Sequence, residues 1–459
     1  RMATDGIFAM NNQHVSTVVS GSARLLPDDR TRADLSLRLS DRRYHFPTDG
    51  TGKVVDTNSF TYTDGSTASL RVERSVSEML TIEALMGITN TSGGLDDAPD
   101  DMADTLGFFG FTSLDHFRRS SANLRAHLRI DDIVVTGGWE VEHERQSSFT
   151  ESSSQFGTSS DQSENDRLNR AYYAHATSRH QRFVFNGGAR LERNENFGTF
   201  ATWQLGATWK PFSGDQAKLR GSAGRALKTP TFFENFATGF ARGNPYLDPE
   251  SSTSWELGID RTIFGGTGEI HLTWFDQSFK DLIQFTFVRP TPTSPNYFNV
   301  AAANSRGLEL QLGTQWRKIS GSATWTWLDT QVTDSGFEEG SGATFVRGEP
   351  LLRRPKHNLN VHVAVDLNND IDVYGDIGVI GSRSDRDFSS FPATPVALPS
   401  YAVFSVGARW EYFLSVQSLS RVVFDMRMEN ILDAEFQEVF GFPTPGRGLY
   451  IGLSLNLPI

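Results

Sequence analysis

Three carboxylates at alternate positions, Glu140, Glu142 and Glu144, are the first residues in this chain whose spacing could carry chemistry. Paired carboxyl groups divide acid and base work when their surroundings push their proton affinities apart. Residues two apart in an extended strand share a face, so these three line up like charge with no nucleophile or base among them. Lining a polar cavity suits that arrangement better than catalysis. The serine-rich stretch 147–163 carries no histidine at a useful spacing. The ten histidines are scattered, with no His-x-x-x-His or comparable metal pattern. No catalytic residue is assigned, and no enzyme is expected.

Two other groups point to binding. The acidic run Asp96, Asp97, Asp100, Asp101 and Asp104 offers the hard oxygens that calcium collects from flexible loops, with Asp49, Asp56 and Asp64 on the preceding segment. Its spacing fits no EF-hand, and a solvated acidic loop is the plainer account. The stretch 227–250 concentrates Phe232, Phe233, Asn235, Phe236, Phe240, Arg242, Asn244 and Tyr246. Aromatic and amide groups together suit a large, partly apolar ligand held by shape and a few hydrogen bonds. The alternative is that the aromatics pack the loop onto its neighbours or join an interfacial girdle. Arg353, Arg354, Lys356 and Arg447 precede two strands and are expected to neutralise carboxylates such as Glu309, Asp425 and Glu429, or else to meet an anionic ligand or membrane phosphates.

The elements that must hold these residues are strands. In 421–430, Val422, Phe424, Met426 and Met428 alternate with Val423, Asp425, Arg427 and Glu429. In 449–457, Leu449, Ile451, Leu453, Leu455 and Leu457 alternate with Tyr450, Gly452, Ser454 and Asn456. Period two recurs in this way along nearly the whole chain. The segments run roughly ten to sixteen residues, enough to cross a bilayer at a tilt and longer than the five or six typical of a soluble sandwich. Composition agrees. The 459 residues are 38% hydrophobic, 12% aromatic with 34 Phe, and contain 41 Gly and no Cys. Mean hydropathy is −0.37, and no stretch of eighteen apolar residues offers a transmembrane helix. Barrel strands average to just such neutral hydropathy because polar and apolar residues alternate. Without cysteine, neither disulfides nor thiolate metal sites can form. A net charge of −12 argues against a nucleic-acid partner.

Nineteen strand candidates follow, centred from near residue 19 to near residue 452. Short connections (27–31, 75–77, 130–132, 178–181, 211–216, 264–268, 317–321, 367–370, 412–418) interleave with long ones (47–58, 93–112, 148–166, 227–250, 287–297, 333–352, 382–398, 432–445), 194–198 being the one brief member of the second set. Bacterial barrels have short periplasmic turns and long extracellular loops, with an even strand number. Nineteen is odd, so at least one upstream strand is expected beyond this sequence, with 1–9 as the end of one such strand. The fold class expected is all-β: one transmembrane antiparallel β-barrel over residues 1–459.

Five blocks then carry a resemblance. They are Gly224-Arg225-Ala226-Leu227-Lys228-Thr229-Pro230-Thr231 with Gly243-Asn244-Pro245-Tyr246-Leu247-Asp248-Pro249-Glu250 and Trp255-Glu256-Leu257-Gly258; Tyr297-Phe298-Asn299-Val300 with Arg306-Gly307-Leu308-Glu309; Leu351-Leu352-Arg353-Arg354-Pro355-Lys356-His357; Glu429-Asn430-Ile431-Leu432-Asp433 with Phe436; and Pro445-Gly446-Arg447. In this order, inside a strand pattern, they resemble TonB-dependent outer-membrane receptors, most closely the cobalamin transporter subgroup. The resemblance implies a 22-stranded barrel whose lumen holds a plug, so about three strands, the plug, the energy-coupling box and the signal peptide would lie outside this sequence. It also implies a monomeric outer-membrane receptor in a Gram-negative bacterium, set in lipid and lipopolysaccharide. A TonB energy-coupling complex would act through the plug, and the ligand would be a large scarce nutrient such as cobalamin or a ferric siderophore. No cofactor is required; the subgroup's calcium in extracellular loops is the one ion implied. The ending Leu457-Pro458-Ile459 departs from the aromatic finish usual in such barrels. A passive porin is the rival reading, although porins usually have 16 to 18 strands.

Overall fold

In a computed structural model, residues 2–4, 11–48, 56–100, 108–154, 157–212, 216–239, 241–286, 289, 291, 293–336, 340, 343–389, 392–412 and 421–456 are described. Nineteen long strands lie among them, and each coincides with one of the expected nineteen. A three-residue strand, Met2–Thr4, precedes them and pairs with Gln13–Asp28. The chain falls into two compact units, Arg1–Ala207 with Ala223–Thr253 and Phe279–Ala302, and Thr208–Ser222 with Ser254–Ser278 and Ala303–Ile459.

The first unit is built on an up-and-down meander. Gln13–Asp28, Thr31–His45, Phe60–Ser75, Leu80–Asp97, Phe108–Ile130, Ile133–Ser154, Gly157–His180 and Phe183–Asn194 each pair antiparallel with the next. Tight turns join one end of alternate pairs. Asp131 and Gln181 take φ of 48° and 46° there, the left-handed values that two-residue hairpin turns demand. Three strands run 23, 22 and 24 residues, about twice what a tilted crossing of a bilayer needs, so their far ends stand well beyond it. The 148–166 segment, expected as a long loop, is therefore mostly ladder. Ser148 pairs with Ser163, and the pairing runs without a slip to Ser154 and Gly157. Hydroxyl and amide side chains keep both faces of this extension wet, which hid it from a reading based on apolar alternation.

One face of the meander is apolar and open. Leu35, Leu37, Leu39, Leu70, Met86, Leu124, Tyr172 and Leu191 are 39–63% exposed. An apolar surface this continuous requires a non-aqueous neighbour. The opposite face is charged and internally paired. Glu83, 1% exposed, sits between Arg71 (3.0 Å) and Arg125. Glu144 takes the Nε of Arg119 at 2.9 Å and is bonded by Arg167 as well, while Arg190 spans Glu140 and Glu192 at 2.7 Å each. The carboxylates read from sequence as a line of like charge thus alternate with arginines that register places on neighbouring strands, as cross-strand pairing favours.

The second unit contains a shorter meander through Ile319–Asp334, His357–Asp366, Ile371–Ile380, Tyr401–Tyr412, Arg421–Glu429 and Gly448–Asn456. Its apolar face carries Val363, Val406, Met426, Leu449, Ile451 and Leu453 at 43–66% exposure. On the polar side Arg427 pairs with Glu429 at 2.7 Å, and the Tyr374 hydroxyl donates to Asp425 at 3.3 Å. Gly198–Trp209, Ala217–Lys228, Glu250–Ile263, Gly268–Phe285 and Tyr297–Trp316 complete the nineteen. Two long connections carry small ribbons, Arg383–Asp387 with Thr394–Leu398 and Gln437–Val439 with Phe442–Pro443.

Candidate functional site

The site is assembled in the first unit by the connection 229–249. Thr231 and Glu234 form a capping box: the Thr231 hydroxyl accepts from Glu234 N at 3.1 Å, and Glu234 Oε2 accepts from Thr231 N at 2.7 Å. That reciprocal pair satisfies the first free N–H groups and starts the helix Phe232–Phe236. Phe232 is 6% exposed and lies under the Arg167 guanidinium, 4.5 Å from its ring centre, while Arg167 Nη1 donates to Pro230 O at 2.8 Å. The charged wall and the loop are thus tied through one arginine.

Asparagines hold the rest. Asn235, 2% exposed, donates to Asn244 O at 2.9 Å. Asn244 donates to Tyr297 O at 2.9 Å and accepts from Tyr246 N at 3.0 Å. Asn296 accepts from Arg242 N at 2.8 Å and donates to Thr286 O at 2.7 Å; Asn299 accepts from Asp248 N at 2.7 Å and donates to Asp248 O at 2.8 Å. Each side-chain amide replaces a backbone partner that an irregular loop lacks.

Folded this way, the loop covers the polar face of the extended hairpin. A cavity of about 740 Å³ lies among Gln162, Ser163, Glu164, Asn165, Asn235, Phe236, Arg242, Asn244, Tyr246 and Thr293. A smaller one of about 240 Å³ lies among Gln146, Thr150, Asp161, Phe111, Phe232 and Phe233. The seven residues singled out from sequence divide by role. Phe232, Asn235 and Asn244 are spent on the loop's own packing and hydrogen bonds. Phe233 is 55% exposed and meets Tyr297 edge-on at 6.2 Å; Phe236 faces the larger cavity; Tyr246 is 89% exposed; and Arg242 is exposed with no carboxylate partner among the described residues. Phe240 lies outside the described residues.

The acidic run stands on a different pair of segments. Asp96 and Asp97 end their strand. Asp100 accepts from Thr57 N at 3.2 Å and Asn58 Nδ2 at 2.9 Å, and Asn58 exchanges two further bonds with Ala98. Burial works against the charged form of Asp56, but the N–H and hydroxyl of Ser59 and the N–H of Asn58 outweigh it, holding this carboxyl below the usual aspartate range. These oxygens close the loop by accepting from protein donors. Among the described residues no group of three His, Cys, Asp or Glu is placed to hold a metal ion. Asp49, Asp101 and Asp104 lie outside them, and Asp64 stands within a strand opposite Asp41.

The basic residues need a correction. Arg353 does not reach Asp425 or Glu429; its Nε donates to Asp385 at 2.8 Å. Arg353 has φ 58°, which turns it toward the Arg383–Asp387 ribbon. Among the described residues, Arg447 donates its backbone N–H to Asp433 at 2.8 Å, and its guanidinium pairs with no carboxylate. Asp385 is fully buried and could not have been found from sequence, because its burial depends on loops far apart in the chain.

Long strands with one apolar and one charged face, and a loop drawn over the charged face, are the arrangement that a membrane β-barrel needs. Residues 5–422 match the family described as TonB dependent receptor-like, beta-barrel. The chain belongs to that family, whose members are outer-membrane transport receptors of Gram-negative bacteria. Among solved structures it is similar to the copper transporter OprC (15% identity over 98% of this chain and 73% of that one, TM-score 0.77). It is also similar to the siderophore receptor PiuA from Acinetobacter baumannii (14%, 97% and 74%, 0.72) and to the ferric citrate transporter FecA (13%, 97% and 70%, 0.72). At these identities the likeness is one of fold. The names of these structures speak of copper and siderophores, and the expected cobalamin subgroup gains no support from them.

Proposed function

We propose that this chain is the wall and mouth of a receptor for energy-coupled uptake of a large scarce nutrient, a ferric siderophore ahead of cobalamin. The observation that carries this reading is the 740 Å³ cavity under the 229–249 loop, where the Arg242 and Tyr246 side chains are not consumed by the fold and Phe236, packed on Phe232, lines the wall. A guanidinium beside aromatic faces suits an anionic chelate with aromatic or planar parts. The siderophore and ferric citrate receptors among the similar folds favour the same class. In this reading the long-loop end is extracellular, the wall closes as a 22-stranded barrel in lipid, and a TonB complex acts through a plug within it. Calcium remains a proposal for the segment 96–104.

Titration calorimetry of the membrane-inserted protein with ferric siderophores and with cobalamin tests it. One ferric chelate is expected to bind tightly, with Arg242→Ala and Tyr246→Ala each weakening it roughly tenfold, the worth of one charge-assisted or stacking contact. Equal binding by both variants and wild type would move the ligand away from this cavity.

A further inference from the structure

The two cavities under the 229–249 loop adjoin. Ser163, Asn165, Ala237 and Thr238 bound both of them. Both run along the strand Gly157–His180, on which Asp161 and Asn165 are about 14 Å apart. Their polar groups differ in kind. The larger holds the Arg242 cation. The smaller, about 240 Å³, is lined by the rings of Phe111, Phe232 and Phe233 together with Asp161. A pocket for a whole ligand measures roughly 300–1,000 Å³, so the smaller cavity suits one arm of a ligand whose body occupies the larger.

Asp161 keeps its charge unanswered. Thr238 Oγ1 donates to its Oδ2, and no Arg, Lys or His pairs with it among the described residues. Farther along the strand, Glu164 and Asp166 are answered by Arg145 and His143. Arg167, which lies against Phe232, is itself held by Glu144. A carboxylate among aromatic rings with no cation of its own is a setting that holds an ammonium group. A second acceptor borders the larger cavity. Asn235 gives its NH₂ to Asn244 O at 2.9 Å, and turning that amide over would set oxygen against oxygen. Its Oδ1 is buried with no hydrogen-bond partner among the described residues, and a buried acceptor left in that state costs free energy until a donor reaches it.

The geometry points to a ligand of mixed charge: an amine-bearing ferric chelate. The anionic chelate would lie against Arg242 and Tyr246, an N–H of the arm would donate to Asn235 Oδ1, and the terminal ammonium would meet Asp161 among the phenylalanine rings. Asp161 then selects this ligand over fully anionic chelates such as ferric citrate, which offer it no donor. This inference deepens the uptake reading above and rests on it.

The test uses matched pairs of ferric hydroxamate and ferric catecholate chelates, each with a primary-amine arm either free or acetylated. Acetylation removes the charge and leaves the chelate unchanged. Calorimetry on the membrane-inserted protein is expected to show the free amine of the pair that binds held roughly tenfold more tightly than its acetylated partner, the worth of one charged contact. Asp161→Asn, which keeps an oxygen for Thr238, should abolish that preference while leaving the Kd of the acetylated chelate unchanged. Equal affinity for both members of the pair in wild type, or a preference that survives in Asp161→Asn, would overturn the inference and leave the uptake reading intact. Failure of every chelate to bind wild type would overturn both.

Discussion

Gly243→Ala is expected to remove high-affinity ligand binding while leaving the strands folded. A Cβ at this position would lie 2.4 Å from the Asn235 carbonyl carbon and 2.4 Å from Phe236 N. Both are backbone atoms of the helix that the returning chain crosses, so no side chain can turn aside. Gly243 N also donates to Ala237 O at 2.7 Å, and Asn244 N to Glu234 O at 2.8 Å. Relieving the clash pulls both bonds apart and carries Arg242, Asn244 and Tyr246 away together. Forcing even one methyl into a close-packed crossing costs about 1–3 kcal/mol, and the loss of a prearranged set of contacts adds to it. Calorimetry should show Kd raised roughly a hundredfold, with the strand circular dichroism unchanged, because the loop contributes nothing to the ladder. Wild-type affinity in Gly243→Ala would mean that the loop crossing does not shape the ligand site.

The second large effect is expected at Asp385→Ala. Asp385 Oδ1 accepts from Arg353 Nε and from Arg386 N, both at 2.8 Å, and Oδ2 accepts from Phe440 N at 2.8 Å. One carboxylate therefore joins three separate connections of the second unit. Arg386, 2% exposed, adds Glu349 at 2.8 Å, and Arg383 donates to Gln437 O while lying 5.4 Å from the Tyr401 ring. Breaking a buried pair costs about 3–5 kcal/mol; with Arg353 37% exposed, the low end of that range applies. Trypsin should then cut at Arg353 and Arg383 much faster than in wild type, whereas Asp385→Asn, which keeps one of the two acceptor oxygens, should fall between. Unchanged cleavage in Asp385→Ala would show that the three connections do not depend on this carboxylate.

The strands were legible because one physical demand, apolar against lipid and polar inward, imposes period two on every crossing. The Met426 and Met428 alternation and the Leu449 to Leu455 run are read directly as the rows they form. Beyond the bilayer that demand lapses. The extension from Ser148 to Ser154 pairs through hydroxyl-bearing residues with no apolar face, so its sequence resembles a loop. The site was legible in part. Its aromatic and amide composition marked 229–249, and Thr231-x-x-Glu234 after Pro230 is a helix-start signature that was present and unread. Which asparagines are spent on backbone, and that Arg167 would hold Phe232 from 65 residues upstream, depends on register and loop crossing. Neither leaves a local pattern.

The central claim is that this chain serves driven rather than passive uptake. Accumulation of a radiolabelled ferric chelate should be followed in outer-membrane-competent cells making the protein that carries this chain, with and without a functional inner-membrane TonB complex. The account predicts saturable accumulation against a gradient that falls to background when that complex is removed. Uptake that continues undiminished and does not saturate would identify an open passive pore and contradict it.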